Sequence, residues 1–166
     1  MSNAHTPIEV FYSYAHEDES HIQRLHIHLT MLRRQGLIST WHDRKIIPGT
    51  DWAQTIDTDL EQASIILLLV SPDFLGSDYC YAIEMQRALQ RHNANEARVI
   101  PVILSPCDWS YAPFTSLQCL PRDGKAITLW DNQDLAWNDV TAGIRQVIED
   151  HPFLPTNTPQ TTLPPI

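Results

Sequence analysis

The residues whose types and spacing could do chemistry gather in one stretch, IILLLVSPDFLGSDYCYAIEMQRAL, from Ile65 to Leu89. On helical geometry Glu84 lies beside Cys80, Tyr81 and Ala88, next to an apolar stripe of Met85 and Leu89. A carboxylate at such a boundary can orient a ligand or stabilise positive charge developing on it. An ion pair with Arg87 at i+3 on a helix surface, worth a few tenths of a kcal/mol, explains the same residue. Pattern alone favours the surface pair.

Other chemistries lack their residues. There is no GxGxxG and no GxxxxGK[ST], and five glycines in 166 residues cannot build a glycine-rich phosphate cradle. The SYAHEDE loop is not a flavin-binding loop, and Ser71 stands where a phosphoacceptor aspartate would end the third strand. The eight histidines are scattered, and His26 and His28 share neither a helix face nor a carboxylate at metal-site spacing. No GxSxG elbow or Cys/His motif marks a nucleophile. Cys80, Cys107 and Cys119 are odd in number without CxxC spacing, which fits reduced thiols.

A net charge of −9 argues against a surface that tracks nucleic-acid backbone, although Arg33–Arg34 and Arg44–Lys45 are adjacent basic pairs. No apolar run approaches the roughly 20 residues of a membrane span. The N-terminal MSNAHTPIEV has no secretory pattern, so a cytoplasmic location is expected.

The elements that must position these residues follow from periodicity. Residues 1–7 read as a disordered leader, 8–150 as one domain, and 151–166, with five prolines and several threonines, as a linker or tail. Strands are expected at Ile8–Ser13, Leu37–Trp41, Ile65–Val70, Arg98–Leu104 and Ala126–Trp130. Pro101 inside the fourth suggests a bulge or an edge-like position. Between them, Ile22, Leu25, Leu29 and Leu32 form one helical stripe that Gly36 terminates. Trp52, Ile56, Leu60 and Ala63 form another, and a last helix carries Leu135, Val140, Ile144, Val147 and Ile148. Ser71–Pro72 reads as an N-cap with proline at the first helical position. Five alternations imply a parallel sheet with helices on both faces and ligands beyond the carboxyl ends of its strands. That rim gathers Ser13-Tyr14-Ala15-His16, Trp41-His42-Asp43, Ser71-Pro72, Ser105 and Trp130-Asp131.

Several segments, in order, resemble the Toll/interleukin-1 receptor (TIR) domain of prokaryotic type: VFYSYAHED, WHDRKIIPGTDW, DLEQASIILLLVSPDFLGSDYCYAIEMQRAL, VIPVIL, and CDW with the following PF and LP. The resemblance covers about residues 8 to 150. It implies a flavodoxin-like three-layer fold with a five-stranded parallel sheet, in agreement with the periodicity.

It also implies one of two roles. Many TIR domains are self-associating adaptor modules. Others cleave NAD+ at the nicotinamide–ribose bond, giving ADP-ribose or a cyclic product, in prokaryotic immune signalling. By motif the family's catalytic glutamate falls on Glu84, with NAD+ as substrate and no separate cofactor. The family's BB loop falls at about His42 to Asp51. Ser13, Tyr14, Trp41, Asp43, Arg44, Lys45, Ser71, Cys80 and Tyr81 are the expected substrate contacts, whereas Trp52 begins a helical stripe and fits the core better. Where NAD+-cleaving members often carry tryptophan, four residues before the glutamate, this sequence has Cys80, flanked by Tyr79 and Tyr81. The implied partners are other TIR domains and a sensor or effector domain beyond the tail.

Overall fold

The computed structural model describes residues 6–40 and 58–150. Among them, β1 (Ile8–Ser13), β2 (Ile38–Thr40), β3 (Ile65–Val70) and β4 (Arg98–Ile103) form one sheet in the order β2-β1-β3-β4. Every pairing is parallel, with Val10 opposite Ile65 and Leu67 opposite Ile100. Strand alternation explains why β3 is apolar throughout. Ile65, Leu67 and Leu69 enter one core while Ile66, Leu68 and Val70 enter the other, and all six are fully excluded from solvent.

The first core is covered by α1 (Glu19–His28), α2 (Thr30–Arg34) and α5, named here for the long helix Gln133–Asp150. The stripe Ile22, Leu25, Leu29, Leu32 is wholly buried there, continuous across a break at Leu29. At that break Arg33 Nη1 donates to the His26 carbonyl at 2.6 Å. Gly36 follows α2 at φ +73°, the left-handed terminator its position implied. Helix α5 buries Ala136, Trp137, Val140 and Ile144, while Leu135 faces outward.

The second core is covered by α3 (Pro72–Gly76), a π-helical turn (Asp78–Glu84) and α4 (Met85–Asn93). Residues 58–62 are helical and add Leu60, with Ala63 just beyond; Trp52 and Ile56 of the same expected stripe lie outside the described residues. Arg91, almost fully buried, donates to the carbonyls of Leu60 at 2.8 Å and Ala63 at 2.7 Å. It thereby satisfies backbone groups that a helix end leaves without internal partners.

One expectation fails. Ala126–Trp130 is not a fifth strand but contains a 3-10 turn, Ile127–Leu129, which buries Ile127 and donates Thr128 N–H to the Leu104 carbonyl at 3.1 Å. Among the described residues the outer edge of β4 meets only an isolated bridge, with Leu120 N–H bonded to the Pro101 carbonyl (2.9 Å) and Ile103 N–H to the Leu120 carbonyl (2.8 Å). Pro101 turns its carbonyl to this side, where its missing N–H would otherwise have supplied the next rung. The fold is three-layered α/β.

Candidate functional site

The site begins with the strand order. From β1 the chain passes to β2 on one side, yet β3 lies against β1 on the other. Crossovers therefore leave neighbouring strands toward opposite faces, and a crevice opens beyond their carboxyl ends. A cleft of about 560 Å³ lies there. Its described walls are Phe11 and Tyr12 of β1, the segment after β1 (Tyr14, Ala15, His16, Glu17), the start of α3 (Pro72, Asp73), and Gly76, Ser77, Tyr79, Cys80 and Glu84.

Local sequence shapes the far wall. Ser71 has extended backbone and accepts Phe74 N–H on Oγ at 3.0 Å, capping α3, with Pro72 at its first position. Ser77 repeats the device, accepting Cys80 N–H at 3.1 Å, and so starts the π-helical turn. Wider turns of this kind insert one residue and re-aim the side chains after it, which is why they recur at functional sites. Glu84 is the last residue of the turn.

Glu84 is only 4 % exposed and borders the cleft. Ser13 Oγ donates to its Oε1 at 2.7 Å. Arg87 does not take the surface role open to it in the sequence, because its guanidinium grips Glu61 with contacts of 2.5 and 2.6 Å. Glu84 is thus a buried acidic residue on the border of a cleft.

The expected contact residues divide into three sets. Tyr14, Cys80 and Glu84 line the cleft together. Ser13 is wholly buried and hydrogen-bonded to Glu84, and Ser71 is wholly buried as the α3 cap, also donating a hydrogen bond to Asp18. Tyr81 packs against the second core and is absent from the lining, where Tyr79 stands instead. Trp41, Asp43, Arg44, Lys45 and the BB-loop region lie outside the described residues. Of the remaining rim, Trp130 donates its indole N–H to the Lys125 carbonyl.

Charge and hydrogen bonding set the character of the walls. Tyr14 donates its phenol to Glu19 at 2.7 Å, and burial, then that bond, hold its pKa far above the ordinary range. Cys80 donates its thiol to the Tyr14 carbonyl at 3.2 Å. Burial first, with Glu84 and Asp18 adding repulsion, pushes this thiol up to about 11. Asp18 is raised by burial too, partly offset by Ser71. Sequence reading overlooked Asp18, Glu17 and Asp73, and noted Tyr79 beside Cys80 without placing it among the expected contacts. The signal available was position, since Asp73 lies three residues past the end of β3 and Glu17 and Asp18 lie four and five past the end of β1. Among the described lining residues Glu17, Asp73 and Glu84 are acidic, so this wall suits a cationic group.

A family model described as "TIR domain" matches residues 10–146. The chain belongs to the TIR domain family. It is 53 % identical over 137 residues to the uncharacterized protein y4lF of Sinorhizobium fredii, a match covering 82 % of this chain and 42 % of that protein. A Toll-like receptor 4 of Pinctada imbricata is 30 % identical over 117 residues, 69 % of this chain and 13 % of the receptor. The chain therefore spans less than half the length of either curated relative. Among solved structures, the TIR domain of the Toll-related receptor TRR-2 from Hydra magnipapillata superposes with a TM-score of 0.58 at 24 % identity, covering 82 % of this chain and 97 % of that one. The TIR domains of the activated Roq1 resistosome, described as directly recognizing the pathogen effector XopQ, superpose at 0.50 and 16 % identity, over 84 % of each chain. These likenesses establish the TIR fold. No helix among the described residues is long and apolar enough to cross a membrane.

Proposed function

We propose that this TIR domain is an NAD+ glycohydrolase or cyclase with Glu84 as its catalytic carboxylate, working in the cytoplasm of a prokaryote in immune signalling. One observation carries the reading. A buried glutamate, held by a hydrogen bond, borders a cleft at the point where the strand order reverses. The chemistry needs little more. In NAD+ the nicotinamide is already cationic, so it leaves as a neutral base with the pair of the C–N bond and requires no general acid. The ribose becomes oxocarbenium-like, and an anion close to it lowers that barrier. Water attack then gives ADP-ribose and a proton, whereas attack by the substrate's own adenine or ribose gives a cyclic product.

The acidic wall favours the pyridinium end of the substrate, with Tyr14 and Tyr79 offering aromatic surface beside Cys80. Asp43, Arg44, Lys45 and Trp41 are the proposed partners for the remainder of the dinucleotide. Self-association of TIR units supplies activation, driven by a sensor or effector domain joined through residues 151–166, which would raise their local concentration.

The test is nicotinamide release from NAD+ by purified protein, free and tethered to beads. Wild type is expected to release nicotinamide, more so when tethered, and Glu84→Gln to lose at least about 100-fold of the rate. No release under any clustering condition sinks the enzymatic reading and leaves a non-catalytic adaptor. Equal release by both proteins sinks the assignment to Glu84.

A further inference from the structure

We propose that Ser13 is a positioning residue for Glu84, fixing from the end of β1 the direction in which the carboxylate meets the cleft. This rests on the NAD+-cleaving reading of the site. As a neighbour of Tyr14 at a strand end, Ser13 looks from sequence like a substrate contact. The structure assigns it differently. Alternation along β1 places Ser13 on the same face as Phe11, toward the π-helical turn, while Tyr12 and Tyr14 face the opposite core. Its side chain is fully excluded from solvent and absent from the cleft lining, whereas its hydrogen-bond partner Glu84 borders the cleft. A substrate in the cleft therefore meets the carboxylate and not the buried hydroxyl that holds it.

The mount is rigid. Strand β1 is held on both sides by β2 and β3, and Ser13 itself pairs with Leu68. A glutamate has three side-chain torsions, and one hydrogen bond to a fixed hydroxyl selects among their combinations. A second bond joins the same two elements one residue along, from the Cys80 thiol to the Tyr14 carbonyl. The pairs 13–84 and 14–80 together pin the π-helical turn against the strand end. In this chain, then, the cysteine standing where tryptophan is frequent fastens the element that carries Glu84. An oxocarbenium-like state is sensitive to the placement of its counter-charge, since a shift of about 1 Å can cost about 100-fold in rate.

The experiment compares nicotinamide release by tethered wild type, Ser13→Ala, Ser13→Thr and Glu84→Gln, with thermal unfolding of each. Ser13→Ala is expected to lower kcat about 10- to 100-fold with KM within about twofold, because substrate does not touch the hydroxyl. Ser13→Thr, which keeps the donor, is expected to recover kcat to within about fivefold of wild type. If Ser13→Ala does not fold, Ser13→Cys replaces it, close in volume but a weak donor, with the same expected loss. An unchanged kcat in the donor-deficient variant overturns the positioning role while the reading stands. So does an equal fall in Ser13→Thr when its melting matches wild type, or a loss confined to KM. Wild type that releases no nicotinamide overturns the NAD+-cleaving reading, and the proposal with it.

Discussion

At the scale of single residues, Cys80 has the most distinctive chemistry. It touches the cleft yet is only 4 % exposed, donates to a backbone carbonyl, and faces the carboxylates Glu84, Asp18 and Glu17. Reactive thiols sit in electropositive, accessible surroundings, and Cys80 has neither advantage. In native protein at about pH 8, iodoacetamide should label Cys107 and Cys119, both partly exposed, well before Cys80, as peptide mass spectrometry would read. Labelling of Cys80 first would contradict its burial. Its pKa also sets a stability limit. Unfolded, the thiol ionises at its ordinary 9.0; folded, only at about 11. The stability it contributes is complete below about pH 9 and is lost as pH rises through about 11. Tyr14, raised by burial and by Glu19, acts in the same alkaline direction. Unfolding midpoints measured across that range should fall, and Cys80→Ala should flatten the fall.

At the scale of elements, two serines placed before helical turns organise the far wall. Ser71 does two jobs at once, accepting from Phe74 N–H and donating to the buried Asp18. Ser71→Ala removes a cap, worth about 1 kcal/mol, and leaves a buried carboxylate without a donor, worth about 1–3 kcal/mol more. Urea titration should therefore show a loss of about 2–4 kcal/mol, with the serine's absence felt in stability and not in KM. A loss below about 0.5 kcal/mol would remove Ser71 from this role.

The same elements show what sequence could and could not convey. The Ser71–Pro72 cap, the Ile22–Leu32 stripe, the Gly36 terminator and the buried β3 are local patterns, and local patterns are legible. Ala126–Trp130 has the composition of a strand, but its conformation depended on whether the outer edge of β4 offered a full ladder. That is a tertiary fact involving Pro101 and Leu120. The π-helical register at Asp78–Glu84 was equally hidden, since an α-helix and a wider turn share one apolar pattern. Tyr79 lines the cleft and Tyr81 packs against the core, whereas ordinary helix geometry sets Tyr81 beside Glu84. The bond from Ser13 to Glu84 spans 71 positions and no spacing rule could foresee it.

At the scale of the whole molecule, the sheet order decides how the protein comes apart. Strand β3 lies between β1 and β4, with all six of its side chains sealed between two helical layers. Its amide protons can meet solvent only when those layers and both neighbouring strands separate together, which amounts to global unfolding. Amides around the Ile127–Leu129 turn and the Leu120 bridge are not flanked by strands on both sides and open locally. Native-state hydrogen exchange should accordingly give β3 the slowest amides, with opening free energies equal to the stability from denaturant, and the turn much faster ones. Ser13 and Ser71 stand at the carboxyl ends of β1 and β3, so their hold on the cleft is anchored in this last-opening unit. On gradual denaturation the cleft is therefore expected to persist as long as the fold does, disappearing in the same transition rather than melting ahead of it.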